Sequence, residues 1–504
     1  MFIFAVCPIV FLYALNIRET PLSDTVLPII LALILCLMFF LIAKLLLKNN
    51  QKAAYLTSVF LILFFSYGHL FDFLRTTPLD KIIHGKQLVI FSIYIIIFSV
   101  AAFKTWRSRK SFLRLTKILN IISIILISVP LFMITSFFIR NFFVKLPVTE
   151  ISSGEKFDKS KVRSNEKLPD IYYIILDRYG REDTLKRAFN YDNTDFLSVL
   201  AGKGFYITPK SRANYADTAH SLVSSLNMTH LNYLSVLGKQ NYTDWNLLFK
   251  KVANNEVLQT LKSLDYKTIQ FGSWWIQSKV NSYVDMNINI DTTPGFHYLI
   301  LSKTMLHPIR VKLGMMHYFL EEQWEREQMK FKKLKEVAYQ KGPKFVFAHF
   351  LITHPPYTFR ADGSYLDENS QKDMSNKEKY LYCLKYTNKE ILAFVDHLLQ
   401  NKDNYNPIII IQADEGPYSD RIGEDNKNFD WSSATDDEIA EKLGILNAYY
   451  FPGGGDKLLY PSISPVNTFR IVFNYYFGQK YQMLSDDSFL SNMNQPYVFV
   501  PVKK

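Results

Sequence analysis

The rhythm of apolar positions divides the chain. Over roughly the first 140 residues the apolar runs are almost unbroken; after that, apolar and polar positions alternate in short stretches. A helix that crosses a bilayer needs about 20 mainly apolar residues. Residues 2–16, 26–47, 53–74, 88–103 and 118–139 meet or approach that length. The first and fourth are short and fit a tilted or partly interfacial helix. The first has no basic residues before it and no small-x-small site after it, so it reads as a span rather than a cleaved leader. The pattern predicts a transmembrane anchor over 1–140.

Residues 145–167 are polar and charged without apolar periodicity, which predicts a linker over 141–167. Residues 168–504 have the length of one large domain. IYYIIL (171–176), FVFAHFL (345–351) and PIIIIQ (407–412) are continuous β-branched and aromatic runs, as expected of strands buried on both faces. FYIT (205–208) and YKTIQFG (266–272) are further strands. Helical periodicity fills the intervals at 194–204, 220–228, 256–265 and 378–399, and residues 310–340 read as one long, mainly exposed helix. Strands alternating with helices predict an α/β fold with a mostly parallel central sheet. No internal repeat is present.

Charge locates the anchor's orientation. The net charge is +12. In the loops after the second and fourth runs stand Lys44, Lys48, Lys52, Lys104, Arg107, Arg109, Lys110, Arg114 and Lys117, nine basic residues against four (Arg18, Arg75, Lys81, Lys86) in the others. Basic loops stay cytoplasmic. An odd number of spans then places the α/β domain on the extracytoplasmic face of the plasma membrane. The same location explains the basicity by topology and anionic lipid rather than by nucleic acid. The three cysteines (Cys7, Cys36, Cys383) lie too far apart for a disulfide framework or a cysteine zinc site.

In open α/β sheets ligands bind beyond the carboxyl ends of the strands. Asp177 follows the first buried run, His349 lies inside the second with His354 just after it, and Asp414-Glu415-Gly416 follows the third. Acids placed directly after apolar strands need a cation. NYADTAHSLVSSLNM (214–228) runs from a loop into a small-residue helix. That puts the Thr218 hydroxyl at a helix N-terminus, where an anion is favoured, with Ser221 and Ser225 on the following face. Taken singly, Asp177 reads as a turn residue, Thr218 as a helix cap and Asp414-Glu415-Gly416 as a turn; their order along the chain gives them weight. The aromatic pairs Trp274-Trp275, Tyr449-Tyr450 and Tyr475-Tyr476 read as packing rather than a carbohydrate platform.

The ordered set LDRYGRED, NYADTAHSLVSSLNM, FAHFLITHPPYTF, IIIIQADEGPY, LNAYYFPGG and SPVNTFRIVFNYYFG resembles the alkaline phosphatase/sulfatase superfamily. With apolar spans ahead of it, it looks like the membrane-anchored lipoteichoic acid synthase and phosphoethanolamine transferase branch. The resemblance implies an alkaline phosphatase-like fold and a nucleophile at Thr218 that transiently carries a phospho group. It implies divalent metal ligands at Asp177, Thr218, Asp414 and Glu415, His354 as a catalytic residue, and substrate contacts at His349 and Asn214. The family pattern has Asp-His-Gly where this chain has Asp414-Glu415-Gly416. An all-oxygen ligand set favours Mn²⁺ or Mg²⁺ over Zn²⁺, and the added negative charge calls for a compensating cation, for which Arg178, Arg181 and Arg212 are candidates. No cysteine stands in a C-x-P-x-R context, which disfavours formylglycine chemistry.

The expected activity is transfer of a phospho-alcohol group, of phosphoglycerol or phosphoethanolamine type, from a membrane phospholipid donor to an envelope polymer or glycolipid acceptor. A hydrolase using the same site, and a scaffold that keeps the fold without the chemistry, are the alternatives.

Overall fold

The computed structural model describes residues 1–75, 77, 87–144, 151–162, 168–290, 295–313, 319–400, 406–419, 421–423 and 429–502. They form two compact units, 1–143 with 293–318, and 144–292 with 319–504.

The first unit is helical. Among the described residues, four helices are long and apolar enough to cross a membrane: Leu22–Leu47, Asn50–Leu74, Leu88–Arg107 and Leu113–Phe142. Their outward positions are large and apolar, such as Leu31, Ile96, Ile125 and Phe132, the inverse of a water-exposed helix. The first apolar run forms the helix Phe2–Leu15, only about 21 Å long at about 1.5 Å per residue. Two short helices, Gly295–Ser302 and Leu306–Lys312, also belong to this unit, although the sequence places them inside the α/β domain.

The second unit is an α/β domain whose main sheet has, among the described residues, seven strands: β1 (Ile171–Leu176), β2 (Tyr206–Ile207), β3 (Lys267–Phe271), β4 (Met286–Ile288), β5 (Lys344–Phe350), β6 (Ile408–Gln412) and β7 (Asn447–Tyr450). The sheet order is β2-β7-β6-β1-β5-β3-β4. β1 pairs in parallel with β5 and β6, and β7 is antiparallel to β6. Because side chains alternate along a strand, β1 feeds two cores. Tyr172, Ile174 and Leu176 pack on one face beneath the helix Asn376–Leu399, and Ile171, Tyr173 and Ile175 on the other beneath the helices Thr218–Leu226 and Pro465–Tyr476. The three central strands end side by side, which brings the residues after them to one edge.

Two regions differ from the sequence-based expectation. Of the predicted linker, residues 145–150 and 163–167 lie outside the described residues, but 151–162 pack on the α/β unit. Ile151 is buried, Ser153 bonds to Glu256, and Glu155 pairs with the buried Arg470 at 2.7 Å. Three apolar residues, Ile151, Phe157 and Val162, and a few specific polar contacts suffice to seat a segment that has no periodicity. The expected single helix over 310–340 is instead Leu306–Lys312 followed by Phe319–Ala338, and the second is not mainly exposed. Glu322, Gln323, Arg326, Glu327 and Lys330 are buried along one stripe. Arg326 pairs with Glu322, and Lys330 with Glu327 at 2.7 Å. Opposite charges three and four residues apart can neutralise one another, so a stripe that looks solvated in sequence can be interior.

Candidate active site

The turn after β1 sets the first acid in place. Asp177 N–H donates to the Phe350 carbonyl at 2.9 Å, continuing the β1–β5 ladder one residue past the strand. Arg178 then adopts the left-handed region, with φ 59°, a conformation that a non-glycine residue keeps only when its surroundings impose it. Here the Tyr380 hydroxyl donates to the Arg178 carbonyl (2.9 Å) and accepts from Gly180 N–H (3.1 Å), clamping the turn.

Asp177, His349 and Asp414, from the ends of β1, β5 and β6, converge as a buried group whose ligand atoms all lie within 4.8 Å of one another. His349 Nε2 is 3.2 Å from Asp177 Oδ2. The Thr218 hydroxyl, at the first turn of the helix Thr218–Leu226, donates to Asp177 Oδ2 over 3.5 Å. Thr218 is only half-buried, whereas the three residues beneath it are fully buried. Asp177 Oδ1 and both carboxylate oxygens of Asp414 are buried without a hydrogen-bond partner among the described residues. Burial, then the charge of Asp177, raises the Asp414 carboxyl to about 6. Burial also pushes Asp177 up, but His354, His349 and Arg178 outweigh it and hold that carboxyl below the usual range. Orphaned acid oxygens beside an imidazole are a donor set that fits a divalent metal. Because the group includes a histidine, the argument for Mn²⁺ or Mg²⁺ over Zn²⁺, which assumed oxygen ligands alone, does not carry over.

Glu415 is not one of these three, although its Oε2 is likewise buried without a hydrogen-bond partner among the described residues. Its Oε1 lies 2.7 Å from Lys442 Nζ and 3.2 Å from Arg178 Nε. Lys442 is fully buried, 3.3 Å from the centroid of the Tyr418 ring, with Arg178 on the same ring at 4.5 Å. Burial pushes Glu415 up and Lys442 down, and their mutual attraction opposes both shifts. Gly416 makes the pairing possible. Its N–H donates to the Lys442 carbonyl at 2.7 Å, and a Cβ there would stand 2.2 Å from the Glu441 carbonyl oxygen. Of the compensating cations suggested by sequence, Arg178 meets Glu415, while Arg181 is held by Asp183 at 2.6 Å. Lys442 was missed: it lies 27 residues further on, at the end of the helix Asp436–Leu443, and no local motif marks it.

Of the remaining expected residues, His354 stays within reach of the Asp177 charge and Asn214 does not join the site. His354 packs edge-on against Trp274 with ring centroids 5.3 Å apart, and its Nδ1 faces the Pro355 carbonyl. Burial, then Arg178, lowers its pKa to about 3. Asn214 is fully committed elsewhere. It donates to Ser464 Oγ (3.0 Å) and the Asp487 carbonyl (2.9 Å) and accepts from Val466 N–H (2.9 Å), tying down the start of the helix Pro465–Tyr476. A substrate contact is not available to an amide so engaged. Ser221 and Ser225 donate to the carbonyls of Tyr215 and Ser221.

His349 is held on its far side as well. Its Nδ1 lies 3.1 Å from Ser278 Oγ, which is 2.6 Å from Ser273 Oγ, and Lys330 Nζ donates to the His349 carbonyl at 2.6 Å. Trp275 closes on the ring edge-on at 5.9 Å. The tryptophan pair expected to serve as packing thus abuts both site histidines. Neither serine carries a sequence signal beyond its residue type.

The sulfatase family model matches residues 169–469. Among solved structures, the chain is similar to the C-terminal periplasmic domain of EcEptC from Escherichia coli, determined with Zn (10% identity, 68% of this chain and 94% of that one, TM-score 0.45). It is similar to the lipoteichoic acid synthase LtaP from Listeria monocytogenes (15% identity, 65% and 76%, TM-score 0.41). It is also similar to the integral membrane lipooligosaccharide phosphoethanolamine transferase A from Neisseria meningitidis (14% identity, 93% and 94%, TM-score 0.40). No curated protein matches.

Proposed function

The chain belongs to the sulfatase family, and on that premise we propose that it transfers a phospho-alcohol group from a membrane phospholipid to an envelope polymer or glycolipid on the extracytoplasmic side. The observation that carries this reading is the half-buried Thr218 hydroxyl set above the buried Asp177–His349–Asp414 group. Its presence in one chain with four apolar helices supports a lipid as donor, since a hydrolase of soluble esters has no use for them. The excess of basic residues in the second and fourth loops supports the outward orientation.

Asp177, His349 and Asp414 would hold a divalent cation, which when bound supplies positive charge that acidifies the Thr218 hydroxyl and offsets the phosphoryl oxygens. The rest of the chemistry falls to the chain. Thr218 Oγ1 attacks the phosphorus of the donor, forming a Thr218 O–P bond as the bond from phosphorus to the diacylglycerol oxygen breaks. With Nδ1 turned to the Pro355 carbonyl, His354 presents Nε2 as a lone pair. With its pKa lowered to about 3, it is a weak base for the Thr218 proton and, once charged, a strong acid that gives that proton to the departing oxygen. In the second half an acceptor hydroxyl gives its proton to Nε2 and attacks phosphorus, and Thr218 leaves with that proton. The helix N-terminus favours the anion throughout, and Arg178 and Lys442 bring positive charge beside three carboxylates.

The test is turnover of a phospholipid by the full chain with and without an envelope acceptor. Headgroup transferred only when acceptor is present supports transfer, and headgroup released into water at equal rate in both supports a hydrolase. A Thr218→Ala chain that turns the lipid over as fast as the parent refutes the assignment of the nucleophile.

A further inference from the structure

The strands Phe489–Asn492 and Gln495–Pro501 form a hairpin that clasps the loop leading to Thr218. Phe489 N–H donates to the Asn214 carbonyl at 2.8 Å, and Ser488 Oγ to the Ala213 carbonyl at 2.7 Å. The Phe489 ring stacks on Tyr215 with centroids 5.6 Å apart, and His220 Nε2 lies 2.7 Å from the Pro496 carbonyl.

Asp217 shows what the clasp does. It precedes the helix Thr218–Leu226 with extended backbone, φ −124° and ψ 138°, the geometry of a capping residue. An aspartate in that position ordinarily accepts hydrogen bonds from the free N–H groups of the first turn. Asp217 makes no such bond. Its Oδ2 accepts instead from the buried Ser491 Oγ at 3.2 Å and lies 3.7 Å from His220 Nδ1, while Lys442 attracts it from a third element. The first bond of the helix runs from Ser221 N–H to the Asp217 carbonyl at 3.0 Å. The N–H groups of Thr218, Ala219 and His220 are left without an acceptor among the described residues.

A carboxylate turned onto this first turn would occupy those N–H groups and repel any anion drawn to the helix end. The side chains around it point to a ligand. The Thr218 hydroxyl reaches Asp177 Oδ2, and Asp177 Oδ1 and both Asp414 oxygens are buried there without a partner among the described residues. A cation on those oxygens favours phosphoryl oxygens beside it.

We propose that Asp217 is a withheld cap. Ser491, helped by His220 and Lys442, holds its carboxylate off the first turn, so that the free N–H groups there receive the phosphoryl oxygens of the transferred group. Ser491 is thus a positioning residue that acts through Asp217. The phosphoryl seat rests on the transfer reading above, whereas the displaced carboxylate does not.

The experiment titrates the full chain in detergent with inorganic phosphate by calorimetry, with Mn²⁺, Mg²⁺ or Zn²⁺ present in turn. Ser491→Ala releases the carboxylate onto the first turn and should weaken phosphate binding about tenfold, the order of one charge-assisted hydrogen bond. In an Asp217→Ala chain there is no carboxylate to release, and adding Ser491→Ala should leave the affinity unchanged. A serine with only a structural role would give the same loss in both backgrounds, and that result overturns the proposal. Asp217→Ala alone removes a negative charge beside the seat and should tighten phosphate binding. Weaker binding there overturns the proposal even if Ser491→Ala does not fold, which elution profile and melting establish for each variant. A parent chain that binds no phosphate with any of the three metals overturns it as well. Headgroup release from phosphatidylglycerol by the parent chain is measured beside this. Its absence with the two-background difference intact would sink the transfer reading and leave the withheld cap standing; turnover with equal losses in both backgrounds would remove the cap alone.

Discussion

Replacing Glu415 by glutamine separates two roles for the residue that departs from the family pattern. As a metal ligand, its loss would abolish the response of the protein to divalent cations. As a counter-ion, the role its Oε1 contacts favour, Glu415 lies 2.7 Å from Lys442 and 3.2 Å from Arg178, beside the group Asp177, His349 and Asp414. Glu415→Gln then leaves the buried Lys442 ammonium with the Gly416 carbonyl at 3.3 Å, the Tyr418 ring and the weaker attraction of Asp217. Removing one partner of a buried pair costs about 3–5 kcal/mol. Removing the stranded cation as well relieves that cost, so Glu415→Gln/Lys442→Met should unfold at higher urea than Glu415→Gln alone. The coupling between the two changes should fall within the roughly 0.5–3 kcal/mol found for residues in contact. The assay is urea unfolding of the full chain in detergent, with and without Mn²⁺, Mg²⁺ or Zn²⁺. Glu415→Gln should be weakened but keep its stabilisation by metal, and Asp414→Asn should lose that stabilisation. If Glu415→Gln loses its metal response as completely as Asp414→Asn, Glu415 is a ligand and the counter-ion assignment is wrong.

Other outcomes follow from the same geometry. Ser278→Ala removes the hydroxyl 3.1 Å from His349 Nδ1; partners of this kind are worth about 10–100-fold in metal affinity, so calorimetry should show weaker metal binding with the metal-free fold intact, and unchanged affinity would make Ser278 a bystander. Asp414 sets a pH dependence. With its folded carboxyl raised to about 6, the metal-free folded chain holds more protons than the unfolded one between about pH 4 and 6, so stability from this group falls as pH rises through that window. A cation must displace the same proton, so metal affinity should climb with pH up to about 6 and then level, and a flat titration would count against Asp414 as a ligand. Thr218→Ser should retain part of the turnover and Thr218→Ala lose it, in a quench assay for phosphorylated protein as well as in product release. Gly416→Ala would place a Cβ 2.2 Å from the Glu441 carbonyl oxygen and should lower the melting temperature more than Gly202→Ala, where a Cβ meets nothing within 4 Å.

What could be read from the sequence is what periodicity and strand ends encode. The run IYYIIL needs both of its faces covered, and that one requirement predicts a central parallel strand and an exposed carboxyl end. Asp177, His349 and Asp414 meet because β5, β1 and β6 are neighbours in register, and each residue lies at or within two positions of a strand end. The sequence does not reveal which way a side chain turns once it is there. Glu415 follows Asp414 directly, but successive side chains diverge, and a lysine brought in by a distant helix through the close approach at Gly416 decides its direction. Asn214 precedes the nucleophile's helix and has the chemistry of a substrate contact, but the start of the helix Pro465–Tyr476 and the Asp487 carbonyl take its hydrogen bonds. The buried charged stripe on Phe319–Ala338 shows the same limit. Hydropathy scores each residue as if alone, while Lys330 is interior because Glu327 and the His349 carbonyl receive it. Lys330 thereby ties the far side of the site to a helix that the sequence presents as solvent-facing. Local pattern is enough to locate the acids, but their partners are set by pairings between residues tens to hundreds of positions apart, and those pairings separate a ligand from a counter-ion.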